Sequence, residues 1–221
     1  MLKETMPNRY PVPDLPVLGE AQSGILPDAL RHRVEEDIRR SRFITSLGHA
    51  PDRAAARRFI EAIRREFPDA THNCWAYAAG RPGDSADVGQ SDDGEPHGTA
   101  GRPMLDQILR GGVGELVVVI TRYFGGIKLG TGGLTRAYRS GVSLGLESLP
   151  VIEKTVPARL TVRVGYGRVD ALYRLLPDFQ ALVVREDFGE SATFELEMPA
   201  DRLEACREGL IQATAGGVRF I

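Results

Sequence analysis

The chain has 221 residues, of which 42% are hydrophobic and 26% are charged, with 28 basic and 30 acidic side chains. This near balance of charge excludes a global positive field of the kind that drives non-specific nucleic-acid binding, so any anion site must be local. No apolar run approaches the roughly 20 residues that a membrane span requires, and residues 1–10 lack the apolar core of a signal peptide. We therefore expect a cytoplasmic protein with no membrane partner, in which Cys74 and Cys206 stay reduced.

The N-terminal part of the sequence changes character after residue 27. Residues 1–27 contain five prolines, and proline at this spacing opposes both helices and central strands. We interpret them as a Pro-rich extension, either an arm that lies over the domain or a partly disordered tail. The alternating pattern from Leu30 to His49 predicts two short strands in a hairpin. Residues 55–67 have the apolar period of an amphipathic helix that ends before Pro68.

The next segment predicts a strand, a long loop, a helix and a second strand. Residues 72–79 read as the strand, and residues 80–98 are rich in Gly, Asp, Ser and Pro, which predicts a long loop of the type that is often functional or disordered. A helix is expected to begin at Thr99 or the residue before it and to close at the glycines 111–112. Residues 116–121 form a β-branched run without polar alternation, which is typical of a strand buried on both faces.

A glycine-rich loop and a further helix follow this strand. Glycine lets the backbone adopt positive φ and approach a ligand closely, and the start of a helix presents unpaired N–H groups with a partial positive charge. Four cations against one acid between residues 115 and 141 strengthen the case for an anion site. The alternative is a tight turn with a purely structural role.

The glycine spacing does not fit two nucleotide-binding motifs. Gly125 and Gly130 have the spacing of a P-loop, but Thr131 stands where a lysine must reach the phosphates. The dinucleotide fingerprint fails at its third position, which is Thr135. Neither nucleotide class is supported, and we predict no cofactor.

The acidic segment 91–103 is the second motif. Asp92, Asp93 and Glu95, with a histidine two residues later, could hold a hard cation or supply general acid and base groups. The alternative is an acidic turn whose carboxylates cap the next helix and bind loop N–H groups. No catalytic residue is predicted, because no nucleophile motif is present and Cys74 lies in the middle of a strand.

The sequence after residue 150 predicts a second domain. Residues 150–157 read as a linker, and the pattern from 158 to 221 is β-α-β-β-α-β, the order of a ferredoxin-like split βαβ unit. The predicted strands cover 159–164, 181–185, 193–198 and 218–221, and the predicted helices cover 169–176 and 201–213.

Three segments carry a resemblance to a known family. Residues 41–44, 91–103 and 122–134 resemble the Impact family, in particular its bacterial YigZ-type members, and the match spans about residues 31–149. The resemblance implies an α+β fold. Residues 28–150 are expected to form an Impact-type domain similar to domain 2 of ribosomal protein S5, and residues 158–221 a ferredoxin-like domain similar to domain V of elongation factor G.

The resemblance also bears on function. Eukaryotic members of the family regulate translation during amino-acid starvation by competing for a partner of a kinase, using an additional N-terminal domain where this chain has the Pro-rich extension. The fold suggests binding of nucleic acid or the ribosome by bacterial members. The leading hypothesis is a non-enzymatic, translation-associated protein that binds RNA or the ribosome. The alternatives are an enzyme that binds a phosphorylated small molecule or nucleotide with Mg²⁺ through the acidic segment, and a protein-interaction module.

The candidate site is centred on the glycine-rich loop. The N–H groups of residues 132–134 are expected to contact phosphate. The candidate anion-binding and nucleic-acid-binding residues are Arg102, Arg122, Gly125, Gly126, Lys128, Gly130, Gly132, Gly133, Arg136 and Arg139.

Overall fold

A computed structural model describes residues 8–19 and 26–221 of the chain. Backbone contacts divide the chain into two units, one comprising Tyr10–Lys154 and the other containing Thr155–Ile221 together with residues 8 and 9. Within the described residues, no helix is both long enough and apolar enough to cross a bilayer. The Pro-rich extension predicted over residues 1–27 lies partly outside the described residues, at 1–7 and 20–25.

The first unit is built on a five-stranded antiparallel sheet. Its elements are β1 Arg9–Pro13, β2 His32–Ile38, β3 Ser41–His49, α1 Arg53–Glu66, β4 His72–Ala78, β5 Val88–Ser91, α2 Gly101–Arg110, β6 Leu116–Tyr123, α3 Thr131–Ser148 and β7 Val151–Thr155. The strand order in the large sheet is β2-β3-β6-β4-β5. Strand β1 pairs separately with β7.

Strand β6 lies at the centre of this sheet and is buried on both faces, as its unbroken apolar run predicted. Val118 and Ile120 belong to a core formed with helices α2 and α3, whereas Val117 and Val119 face the core formed with α1. Because neighbouring side chains of a strand point to opposite faces, this division requires apolar residues at successive positions, and residues 116–120 of β6 are all apolar.

Helix α3 packs very closely on the sheet through two glycines. A Cβ atom at Gly141 would lie 2.6 Å from Oγ1 of Thr45, and one at Gly145 would lie 2.5 Å from Cδ1 of Leu47. Both distances are shorter than a van der Waals contact, so glycine is required despite its low helix propensity. This close approach fixes the distance between the second half of α3 and strand β3.

A buried ionic cluster joins the β1–β7 pair to the large sheet. Glu115, which is 4% exposed, accepts hydrogen bonds from the Tyr10 hydroxyl at 2.8 Å, from Nε2 of His49 at 2.9 Å and from Nζ of Lys154 at 2.5 Å. Burial raises the pKa of the Glu115 carboxyl, but the three hydrogen bonds outweigh it and hold that pKa at about 2. Burial, followed by the hydrogen bond to this carboxylate, raises the pKa of Tyr10 to about 12.

Two expectations about this unit were wrong. The loop predicted over residues 80–98 contains strand β5, and the linker predicted over residues 150–157 contains strand β7. Both strands are short and lack clear apolar alternation, since each is held by pairing along an edge, β5 with β4 and β7 with β1. Edge pairing of this kind leaves little signal in the local sequence.

The second unit has the ferredoxin-like order expected from the sequence. Its elements are β8 Pro157–Val164, α4 Val169–Leu175, β9 Leu182–Phe188, β10 Ala192–Pro199, α5 Leu203–Ala213 and β11 Val218–Phe220. The four strands form an antiparallel sheet in the order β11-β8-β10-β9. Val162, Phe194 and Leu196 are fully buried at the centre of its core. The predicted α+β class with two domains is therefore confirmed.

Candidate functional site at the glycine loop

The glycine loop, residues 124–130, connects β6 to α3 and is anchored at its first two residues. The backbone N–H of Phe124 donates to Oγ1 of Thr71 at 3.0 Å, and the N–H of Gly125 donates to Oγ of Ser41 at 3.2 Å. A Cβ atom at Gly125 would lie 1.8 Å from the carbonyl oxygen of Arg40. The loop therefore lies directly against the turn of the β2–β3 hairpin, and only glycine fits at this contact.

The N-terminus of α3 follows Gly130, whose φ of 72° is in the left-handed region. Among the described residues, no side chain caps this helix, and its first turn contains no acidic residue. The N–H of Leu134 already donates to the carbonyl oxygen of Gly130 at 2.9 Å. The groups left to meet an anion are therefore the N–H groups of residues 131–133, and the phosphate contact expected from Leu134 is not available.

Two of the predicted cations are exposed beside this helix start. Lys128 lines a cleft on one side of the loop, and Arg136 lines a second cavity of about 270 Å³ on the other side. Neither side chain forms an ion pair within residues 8–19 and 26–221. Both remain available to an anionic ligand.

Two further arginines join the loop, and the sequence interpretation missed them. Arg39 and Arg40 form the two-residue turn of the β2–β3 hairpin, with φ values of 48° and 67°, and both are exposed. Arg39 lines the same cavity as Arg136. The sequence shows two adjacent arginines at the predicted hairpin turn. Their closeness to the glycine loop, however, depends on the pairing of β3 with β6, which is not visible in the local sequence.

Two other predicted cations are partly engaged. Nε of Arg102 lies 2.9 Å from Oδ1 of Asp106, and Nη2 of Arg139 lies 3.9 Å from Oδ2 of the same carboxylate. These side chains are still largely exposed. Asp106 offsets part of their charge, so they contribute less to an anion site than Lys128 and Arg136.

Arg122 occupies a different environment from the one the sequence suggested. It is 5% exposed, and its Nη1 donates to Oε1 of Glu95 at 2.6 Å. The guanidinium carbon lies 5.4 Å from the ring centre of Phe43 and 5.5 Å from that of Phe124. Its Nε is buried without an acceptor among the described residues. Arg122 therefore packs beneath the Phe124 ring and pairs with Glu95, so its guanidinium is not free to bind a phosphate.

A buried hydrogen-bond network continues from Glu95 into the core. The Tyr138 hydroxyl donates to Oε1 of Glu95 at 2.8 Å, and Sγ of Cys74 donates to that hydroxyl at 3.3 Å. Burial raises the pKa of both the Cys74 thiol and the Tyr138 hydroxyl well above their usual values. Cys74 is thus held as a neutral thiol, which does not suit a nucleophile.

Asp92 fixes the acidic segment to the start of α2. Its carboxylate accepts backbone hydrogen bonds from Gly98 at 2.8 Å, from Ala100 at 3.0 Å and from Gly101 at 2.8 Å. Although burial raises the pKa of Asp92, these N–H groups lower it below its usual value. The Asp92 carboxylate therefore binds backbone N–H groups of the loop and the helix start. This is the alternative to metal binding that we considered for the acidic segment.

The other two candidate metal ligands are also bound by the protein. Asp93 accepts from the backbone N–H of Asn73 at 2.7 Å and from Nη2 of Arg64 at 2.5 Å, and Glu95 is bound as described above. In the part of the chain that the structure describes, no group of three or more His, Cys, Asp or Glu side chains is arranged to hold a metal ion.

The acidic segment and the glycine loop meet at one cleft of about 450 Å³. Glu95 and Pro96 form one wall, Phe124 and residues 128–131 form another, and Leu134 of α3 contributes to the lining. Most of the lining is apolar. A concave apolar site with a few convergent polar groups is the usual form of a ligand-binding pocket.

Comparison with known proteins gives consistent results over both units. The Impact N-terminal domain family matches residues 39–146, and the domain of unknown function DUF1949 matches residues 162–216. The chain is 40% identical to IMPACT family member YigZ of Escherichia coli (strain K12), over 85% of this chain and 92% of that protein. It is 36% identical to IMPACT family member YvyE of Bacillus subtilis (strain 168), over 81% and 82%.

A solved structure supports the same assignment. A crystal structure described as that of an hypothetical protein is 35% identical in sequence, has a TM-score of 0.67 and covers 98% of both chains. Together with the motifs in residues 41–44, 91–103 and 122–134, these matches establish that the chain belongs to the IMPACT family.

Proposed function

We propose that this protein is a non-enzymatic, cytoplasmic regulator associated with translation. It binds RNA or the ribosome through phosphate contacts at the glycine loop. Membership of the IMPACT family supports the association with translation. One observation carries the choice of ligand: the exposed cations Arg39, Lys128 and Arg136 line the two cavities beside the start of α3, and a fourth exposed cation, Arg40, lies against Gly125 of the loop. No acidic residue occupies the first turn of that helix, within the described residues.

The surface in front of the helix start can accept a phosphate group. A Cβ atom at Gly132 would meet only Nη1 of Arg136, at 3.7 Å, so the space beside this residue is open. The N–H groups of residues 131–133 and the helix dipole both favour an anion at this point. A phosphate there also lies close to the Arg136 guanidinium, which suits paired contacts with phosphate oxygens.

The expected binding is strongly dependent on salt. Each phosphate contact to a single strand contributes about 0.7 to the slope of log affinity against log salt, so four contacts predict a slope of about −3 and a roughly 50-fold loss between 50 and 200 mM salt. A net charge of −2 for the whole chain means that this dependence must come from the local cluster.

The test is fluorescence anisotropy of the full chain with labelled fragments of ribosomal RNA and with transfer RNA across a salt series. The double variant Lys128→Ala, Arg136→Ala should weaken binding and make the salt slope shallower by about 1 to 1.5. The matched control is Arg57→Ala, Arg65→Ala, which removes two exposed arginines from α1 on the opposite face of the sheet.

Two outcomes contradict the proposal. The first is the absence of RNA binding by the wild-type chain at low salt. The second is an equal loss of affinity in the test variant and in the α1 control, because that result assigns binding to net charge and not to the glycine loop.

A further inference from the structure

We propose that the cleft beside the glycine loop holds one unpaired base of a single-stranded RNA, stacked on Phe124. The inference rests on the RNA binding proposed above and goes further by naming the form of the ligand. The neighbouring phosphates meet Lys128 and the start of α3, and the base enters the apolar space between the acidic segment and the loop.

Phe124 is positioned in advance for stacking. Its side chain is 45% exposed, yet its backbone N–H is held by Oγ1 of Thr71 at 3.0 Å, and its ring contacts the Arg122 guanidinium at 5.5 Å. Arg122 is in turn fixed by its ion pair with Glu95. A ring held in this way loses little freedom when a base stacks on it, which favours affinity.

The cleft suits a flat, mostly apolar group with polar edges. Its volume of about 450 Å³ is within the usual range of small-ligand sites. Pro96, Leu129 and Leu134 supply apolar walls, whereas Glu95 and His72 supply polar atoms. Oε2 of Glu95 lies 3.9 Å from Nε2 of His72, too far for a hydrogen bond. Glu95 is held through Oε1 by Arg122 and Tyr138 and His72 through Nδ1 by the Asp93 carbonyl, so Oε2 of Glu95 and Nε2 of His72 are the fixed polar atoms that can meet the edge of a base.

The positive groups beside the apolar cleft favour a nucleotide over other ligands that could fill it. An apolar protein side chain or a neutral ligand would fill the same space but would leave Lys128 and the N–H groups of residues 131–133 without an anionic partner. A nucleotide satisfies both features at once, since aromatic stacking combined with a cationic track is the usual basis of single-strand binding. A duplex cannot place a base in the cleft, because its bases are already stacked on each other.

The experiment compares Phe124→Ala with wild type in the full chain, using a short single-stranded RNA and a duplex of the same length as probes. Loss of one stacking contact should weaken single-strand binding roughly 5- to 150-fold and leave duplex binding close to the wild-type value. Phe124→Trp should retain the affinity, because it keeps an aromatic face.

Ile127→Ala is the matched control, since Ile127 is an exposed apolar residue of the same loop, at 39% exposure, and it is not part of the cleft lining. Its affinity should stay within about twofold of wild type. A 2-aminopurine base in the single strand should lose fluorescence on binding to wild type and regain most of it with Phe124→Ala.

The result that overturns the inference is equal single-strand affinity of wild type and Phe124→Ala, or duplex affinity equal to that of the single strand. If the Lys128→Ala, Arg136→Ala variant still weakens binding in that case, RNA binding at the glycine loop stands and only the base pocket is refuted. If the wild-type chain binds no RNA at low salt, both proposals fail. Because Phe124 is nearly half exposed, its alanine variant should melt at close to the wild-type temperature.

Discussion

Replacement of Glu115 by glutamine should remove a large, pH-dependent part of the stability of the first unit. The carboxyl has a pKa of about 2 in the fold against a usual value of 4.5. At 1.36 kcal/mol per unit, this difference corresponds to about 3 kcal/mol. A carboxyl whose pKa is lowered by folding stabilises the protein at pH values above its unfolded-state pKa of 4.5. That contribution is lost as the pH falls from about 5 towards 2.

Urea unfolding followed by tryptophan fluorescence measures this effect, because Trp75 is the single tryptophan of the chain and lies in β4 of the same unit. At pH 7 we expect Glu115→Gln to be less stable than wild type by about 3 kcal/mol, with the difference narrowing as the pH approaches 3. Glu147→Gln, at an exposed position on α3, is the control and should show almost no difference. A stability difference that is the same at pH 3 and at pH 7 would refute the assignment to a depressed carboxyl pKa.

Three further predictions concern the loop and the buried network. Gly125→Ala places a methyl group against the hairpin carbonyl and should lower both stability, by roughly 1–3 kcal/mol, and RNA affinity. Gly132→Ala should keep the wild-type stability, because the new methyl group would meet only Nη1 of Arg136, but it should weaken RNA binding, since that methyl group enters the space proposed for the phosphate. Tyr138→Phe removes the hydroxyl that joins a thiol to a buried carboxylate and should cost about 1–3 kcal/mol in urea unfolding. Both buried cysteines, Cys74 and Cys206, should react with a thiol reagent only after unfolding, and rapid labelling of either in the native protein would contradict the burial that raises their pKa values.

The sequence was informative wherever a residue's environment follows from its own neighbours in the chain. The unbroken apolar run of β6 requires a strand with two buried faces, and alternation within the second unit predicts the strands of its sheet. The short strands β5 and β7 were missed because they depend on edge partners that are distant in sequence.

The candidate site was predicted less completely for the same physical reason. Arg122 reads as a free cation beside a glycine loop, but the carboxylate that pairs with it belongs to Glu95, 27 residues earlier. Arg39 and Arg40 read as an ordinary charged turn, and the pairing of β3 with β6 brings Arg40 to Gly125 and Arg39 to the cavity lined by Arg136. Burial and charge pairing are set by such distant contacts, which local patterns do not contain.

The three backbone hydrogen bonds that Asp92 accepts from residues 98–101 also bear on the kinetics of binding. They hold the segment that carries Glu95 and Pro96, one wall of the cleft, against the start of α2. A ligand therefore meets a preformed cleft, and association requires no slow rearrangement of this wall. We expect added salt to slow association by screening the arginines and Lys128, while the fit of individual bases in the cleft sets how long each complex lasts.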